Sequence, residues 1–220
     1  ITATVTQWVK VPNTHDYYGP DAKWGEFAYE AVKAADPYVD YSQFDNDGDG
    51  IVDGVAIIHQ GKGQEESGST TDIWSHSWQL SSAGYSTTQR TFDGVKVDAY
   101  TAQPEKQGSG MMQIGVLCHE VGHNLGAPDY YDTDYSTSGQ YDGTGAWDLM
   151  ASGSWNGSPS GSKPAFHNAY TKCYVYGWAT PTTISTAGTY TIQDAINYKS
   201  IYRVNTATTN EYFLLENRQQ

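Results

Sequence analysis

An α+β domain is the fold class the sequence predicts, and three observations predict it. Three stretches read as helices, several short stretches read as strands, and some forty residues show no period. In chain order, residues 2–11 carry Val5, Trp8, Val9 and Val11 and are expected as a strand. Residues 24–35 (WGEFAYEAVKAA) have apolar side chains at 24, 27, 28, 31, 32 and 35, one helical face, which Asp36-Pro37 terminates. Residues 52–59 (VDGVAIIH) read as a central strand, with further strands near 72–80 and 90–102, the latter entered through the Phe92-Asp93-Gly94 turn. A second helix over 111–125 stops at Gly126, with Pro128 behind it. The aperiodic stretch that follows is rich in Gly, Ser, Asp and Tyr, and so long a loop in a compact domain needs a function or an ion to hold it. A third helix is expected over 164–178, with Pro164 in its first turn, and then short strands at 182–192, 198–205 and 211–217. At 220 residues this is one domain, divisible into an upper lobe of about 1–126 and a lower lobe of about 127–220 with a cleft between them.

Composition excludes several functions. Lys and Arg total 12 against 25 Asp and Glu, a formal charge of −13, so a nucleic-acid partner is not expected. Aromatic residues make up 14% of the chain, which argues against a disordered acidic tail. No apolar run approaches the ~20 residues of a membrane span. Two cysteines make no disulfide framework; Cys118 and Cys173 could pair or stay as buried thiols. The chain begins at Ile1, as expected of a processed product whose signal peptide lay upstream, and its last strand suggests that the natural protein continues. Many Tyr, Trp, Ser, Thr, Asn and Gly with few Lys and Arg fit an exported enzyme.

The acidity is local. Between Lys33 and Lys62 there is no basic residue, but Asp36, Asp40, Asp45, Asp47, Asp49 and Asp53 are present. Between Lys106 and Lys163 the same holds for Glu120, Asp129, Asp132, Asp134, Asp142 and Asp148. Such density opposes folding unless cations offset it or the loops are well solvated.

His119-Glu120-Val121-Gly122-His123 lies in the second expected helix. Residues four apart share a helix face, so His119 and His123 can grip one metal while Glu120 reaches a water beside it. With 6 His in the chain, chance would supply such a motif on the order of 0.006 times. Catalytic zinc takes three protein ligands and keeps one position open. Gly126 permits the positive φ that turns the chain back, and Asp129 then falls where a third ligand could arrive. A Glu ligand from a following helix is excluded, because the next Glu after Glu120 is Glu211. His167, Asp132 and Asp148 are the alternative third ligands. On the opposite helix face Gly115, Cys118 and Gly122 make a stripe of small residues, which favours a packed Cys118 over a metal-bound one.

A second constellation is Asp45-Asn46-Asp47-Gly48-Asp49-Gly50-Ile51-Val52-Asp53. Alternate carboxylates at 45, 47 and 49, Gly50 at the sixth place, the Ile51 carbonyl at the seventh and Asp53 at the ninth match the start of a calcium loop. The twelfth place is Ala56, not Glu, so another segment must close the site, and Glu65 and Glu66 are candidates. Asp132, Asp134 and Asp142 could hold a further calcium. Asn156-Gly157-Ser158 is a glycosylation sequon. His15, His59 and His76 are expected as structural or surface residues, with His59 and His76 placed to line a cleft edge.

HEVGHNLGAPD (119–129) resembles the extended zinc signature of the metzincin metallopeptidases, in the variant with Asp as third ligand. Trp147-Asp148-Leu149-Met150-Ala151-Ser152-Gly153-Ser154-Trp155 resembles their Met-turn, which places Met150 beneath the metal. The immune-inhibitor-A-type secreted peptidases are similar further, through YYG (17–19), EAVKAAD (30–36), residues 41–68, DLMASGSWNG (148–157) and EYFLLENRQ (211–219). The resemblance implies a twisted mixed sheet with a backing helix and an active-site helix, then an irregular lower lobe with a C-terminal helix and short strands. It also implies a single catalytic domain released from a propeptide and a chain longer at its C-terminus. The expected activity is a secreted, monomeric zinc endopeptidase with Glu120 as general base, cutting internal bonds of protein or peptide substrates. Zn2+ would be catalytic and Ca2+ structural, with a Tyr hydroxyl from 130, 131, 135 or 141 at the oxyanion. Two other readings are a calcium-stabilised binding module with an inert metal motif and a zinc exopeptidase.

Overall fold

The computed structural model describes residues 3–134, 136 and 139–219. The chain forms two compact units, residues 1–124 with 157–163 and residues 125–156 with 164–220.

The first unit contains α1 (His15–Tyr18), α2 (Trp24–Ala35), β1 (Val55–Lys62), α3 (Gln64–Ser67), β2 (His76–Gln79), β3 (Thr91–Phe92), β4 (Val95–Lys96), β5 (Ala99–Gln107), β6 (Gly110–Met111) and α4 (Ile114–Asn124). Its sheet runs β1-β5-β2, with β1 parallel and β2 antiparallel to β5, and β6 folding back on the end of β5. The strand expected at 52–59 is therefore present, shifted to 55–62, but at an edge. The central place belongs to β5, because Tyr100, Thr101, Ala102 and Gln103 are all 0% exposed and so covered on both faces. By contrast Ala56, Ile58 and Gln60 of β1 alternate as exposed residues. The expected strand at 90–102 is interrupted. Asp93 (φ 51°) and Gly94 (φ 85°) both take positive φ in a two-residue hairpin turn between β3 and β4, and β5 begins only at Ala99.

The helix expected at 24–35 is α2, and it buries Gly25, Phe27, Ala28, Ala31 and Val32. Ala28 and Val32 join Tyr41, Val52, Leu80, Val95, Val97 and Tyr100 in one core cluster, while Phe27 joins Tyr18, Ile73 and Ala102 in a second. The sheet is packed by α4 along β5 and β2. Two hydrogen bonds fix α4 at its ends. The Gly115 N–H, one of the unsatisfied first-turn donors of any helix, donates to Gly161 O at 3.0 Å. Ser77 Oγ donates to Asn124 Oδ1 at 2.5 Å in the last turn.

Residues 3–11 are not a strand. Their backbone joins no ladder among the described residues, and Val5 and Trp8 are 93% and 67% exposed. Their alternation is apolar, but no neighbouring strand offers its N–H and C=O groups, and alternation without a partner does not make a sheet.

In the second unit, residues 126–156 hold only the 3-10 turns Gly145–Trp147 and Ser152–Trp155 among the described residues. Three strands follow, β7 (Thr182–Ile184), β8 (Ile201–Asn205) and β9 (Tyr212–Glu216), in that order, with β7 parallel and β9 antiparallel to β8. The helix expected over 164–178 is much shorter: two helical residues at 169–170 run into a π-helical turn, Thr171–Val175. Pro164 does not start it. Ala165 N–H donates to Gly153 O at 2.9 Å and Leu149 N–H to Phe166 O at 3.4 Å, so 165–166 are held extended against the 147–155 loop. Asn168 then acts as the cap, its Oδ1 accepting the Thr171 N–H at 2.8 Å. Ala169, Cys173 and Ile201 form a core cluster in this unit.

Both cysteines are free thiols, each with its pKa pushed up by burial. Among the described residues no helix is long and apolar enough to cross a membrane.

Candidate metal centre

Helix α4 delivers the His119–His123 pair. Its Gly115 and Gly122 are buried on the packed side, where the absence of a side chain permits close approach. His119 and Glu120 are buried at 9% and 7% exposure, and His123 is half-buried. The two imidazole rings lie 4.8 Å apart between centroids and at 89° to one another, the arrangement expected of residues one helical turn apart.

Gly126 ends the helix at φ 101°, a backbone state that a side chain strongly disfavours. Five residues beyond Asn124 the chain reaches Asp129. His119, His123 and Asp129 each offer one ligand atom, and these atoms lie within 4.8 Å of one another. Two neutral imidazoles and one carboxylate form a donor set that suits zinc and leaves a fourth position open. Asp132, Asp148 and His167, the alternative third ligands, are not in this group.

Asp148 has a different task. It is fully buried, and its carboxylate accepts from Met150 N–H at 3.0 Å and from the Asn168 side-chain amide. These bonds fix the turn that carries Met150, itself 0% exposed. Gly153 lets that turn close, since a Cβ there would meet Asp148 O at 2.3 Å. The Met150 carbonyl accepts from Tyr130 N–H at 2.8 Å, which ties the turn to the residue after Asp129. His167 is buried against Tyr176 and Trp178, with ring centroids 4.9 and 6.0 Å away. The Tyr176 hydroxyl is held well above its usual pKa, first by burial and then by the charges of Tyr130 and Asp148.

Sequence reasoning did not identify Asn168 or Arg218 as supports of this loop. The Arg218 guanidinium donates to Trp147 O and, at 3.0 Å, to His167 O, while its Nε pairs with Glu216 at 2.7 Å. Glu216 also takes the Lys172 ammonium. The signal available was the ENRQ segment, 216–219, whose charged residues close an otherwise apolar strand.

Of the tyrosines considered for the oxyanion, Tyr130 accepts from Thr171 Oγ1 at 2.9 Å through its hydroxyl, and Tyr141 is 60% exposed. Tyr131 is half-buried, and Tyr135 lies outside the described residues.

In the acidic loop, Asp45, Asp47 and Asp49 likewise bring one oxygen each within 4.8 Å of the others. Their carboxylates accept backbone N–H groups of the same loop, Asp49 N–H to Asp45 at 3.0 Å and Gly50 N–H to Asp45 at 2.9 Å. Gly48 and Gly50 supply the positive φ, 76° and 80°, that wraps it. Ile51 bridges to Lys96 through the Gly50 carbonyl and the Val52 N–H. Asp53 is outside the group and accepts from the Asn46 amide instead. Glu65 and Glu66 do not close this loop. Glu65 is taken by Ser75, at 3.1 Å from its N–H and 2.6 Å from its hydroxyl, and Glu66 by Gly108 N–H at 2.6 Å. Asp132, Asp134 and Asp142 do not form a metal-binding group among the described residues. Asp134 N–H donates to Asp132 at 3.2 Å and Ser136 N–H to Asp134 at 3.0 Å, so these carboxylates stabilise local turns.

His59 and His76 are structural: both are buried, and burial lowers each pKa to about 4. His15 is half-exposed and lies 3.1 Å from Asp72.

Known proteins bear on this arrangement. Residues 1–178 match the family described as immune inhibitor A peptidase M6, catalytic domain. Immune inhibitor A of Bacillus thuringiensis subsp. alesti is 36% identical over 197 residues, covering 74% of this chain and 28% of that protein. The pre-pro-metalloprotease PrtV of Vibrio cholerae serotype O1 strain M66-2 is 28% identical over 206 residues, covering 80% of this chain and 22% of PrtV. The chain thus spans less than a third of the length of either relative.

Proposed function

Since the chain belongs to the immune inhibitor A peptidase M6 family, we propose that it is a zinc endopeptidase domain of metzincin type, acting on protein or peptide substrates outside the cell. The observation that carries this reading is the convergence of His119, His123 and Asp129 within 4.8 Å, with Glu120 adjoining the first of them. His119 and His123 would hold the metal as neutral imidazoles and Asp129 as a carboxylate. A zinc ion held there would supply acidification of a water and polarisation of the scissile carbonyl. Glu120, ionised, takes the proton of the attacking water and returns it to the leaving amine. Its burial removes competing bulk water and strengthens that exchange. The Asp148–Met150 turn steadies the segment that carries Asp129, because the Asp148 carboxylate holds the Met150 backbone and the Met150 carbonyl holds Tyr130. Asp45, Asp47 and Asp49 would hold a calcium ion, with the Ile51 carbonyl and Asp53 as further ligands, and it would offset the charge of the first acidic stretch.

Glu120→Gln tests the mechanism. The variant should retain one zinc per chain by elemental analysis and digest casein about 10²- to 10⁴-fold more slowly, the usual share of a general base. A zinc-loaded, folded variant as fast as the parent would refute it. Mass-spectrometric mapping of a digested peptide library separates internal cleavage from trimming of ends.

A further inference from the structure

We propose that a pocket in the first unit, walled by Asp21, Trp24, His76, Ser77 and Trp78, is a binding site for an arginine side chain presented by a peptide or protein. The cavity has a volume of about 310 Å³ and is open on one side, enough for one long side chain whose backbone stays outside. It lies outside the zinc-ligand group, and the inference does not depend on the peptidase reading.

The hydrogen-bonding state of the walls decides the ligand chemistry. The Trp24 indole stacks on His76, with centroids 4.5 Å apart and planes 19° from parallel, and its N–H donates to Gly19 O at 3.2 Å. Both His76 nitrogens are engaged, Nδ1 with Trp74 O at 2.7 Å and Nε2 with Tyr100 OH at 3.2 Å. Ser77 Oγ donates to Asn124 at 2.5 Å. Three of the five walls therefore have internal partners for their polar atoms. What remains for a ligand is aromatic surface, including Trp78 at 40% exposure, and one carboxylate, the exposed Asp21. Lys23, adjacent in sequence to Trp24, is engaged by Glu26 and the Tyr17 hydroxyl, at 2.7 Å from each. Aromatic faces beside a lone carboxylate suit an organic cation. A guanidinium suits them best, since it is planar, stacks on indole and presents a fork of donors to a carboxylate.

The test uses N-acetyl-arginine methylamide, its neutral isostere N-acetyl-citrulline methylamide, and tetramethylammonium, each titrated into the whole chain. Indole N–H signals, assigned with Trp24→Phe and Trp78→Phe, report binding at the pocket. The arginine probe should shift the Trp24 and Trp78 signals, with citrulline and tetramethylammonium each about 5-fold weaker or more. Asp21→Asn should weaken arginine binding by a similar factor without moving the other indole signals. Zinc-free and zinc-loaded protein should give the same result, so failure here is distinct from failure of the peptidase reading. Equal shifts by citrulline, equal affinity in Asp21→Asn, or tetramethylammonium binding as tightly as arginine would each overturn the proposal.

Discussion

His76 makes the chain acid-sensitive for a reason that can be measured apart from any metal. The ring is 7% exposed, and burial lowers its pKa from 6.5 to about 4. The folded state thus refuses a proton that the unfolded chain accepts between pH 6.5 and 4. In that window the unfolded state binds more protons, so stability rises with pH and is lost as pH falls. With those two values the loss at pH 4.5 is about 2–3 kcal/mol, from roughly 1.4 kcal/mol per pKa unit. Replacing His76 with Phe keeps an aromatic ring against Trp24 but removes the titration and leaves Trp74 O and Tyr100 OH without a partner. At pH 7.5 the variant should be about 1–2 kcal/mol less stable for those lost bonds. At pH 4.5 the gap should close or reverse, because only the parent suffers the protonation penalty. Urea unfolding of both proteins at pH 7.5, 5.5 and 4.5 gives the difference directly and cancels every titration they share. A difference that stays constant across the three pH values would refute the reasoning.

Three other outcomes follow from the same geometry. Met150→Ala should cost about 2–5 kcal/mol, as for any fully buried large side chain, and unchanged unfolding would contradict its burial; if it lies beneath the metal as proposed, zinc retention against a competing chelator should weaken as well. Gly126→Ala meets only Val175 Cγ1 at 3.7 Å, so its cost comes from backbone strain at φ 101°, about 1–2 kcal/mol, read by denaturant unfolding. Calcium should raise the melting temperature, and Asp47→Asn should abolish most of that rise; calorimetry without a calcium-dependent shift in the parent would remove the calcium assignment.

Helix α2 and the metal-binding stretch were legible because their signals are local. Apolar spacing over 24–35 needs no distant partner to make a helical face, and HEVGHNLGAPD encodes its own turn through Gly126. The resemblance to a peptidase family rested on that stretch and on further contiguous segments, at 17–19, 30–36, 41–68, 147–157 and 211–219. The gathering of Asp45, Asp47 and Asp49 was legible because those residues are neighbours in the chain, whereas the expected closing partners Glu65 and Glu66 are bound to Ser75 and Gly108 instead.

By itself, then, the sequence determined the chemistry of the candidate metal donors, the separation of the acidic stretches and the order of most elements, since each depends on residues within a few turns of one another. Tertiary structure decided what depends on a partner. It left residues 3–11 without a strand neighbour and made β5 central by covering both its faces. It shortened the third helix, because 165–166 pair with the loop that carries Met150. It also gave Asp148 to Met150 and Asn168, so a carboxylate that could have been a ligand became the support of a turn. Spacing along a chain states what a residue can do; competition among neighbours in space settles which of those things it does.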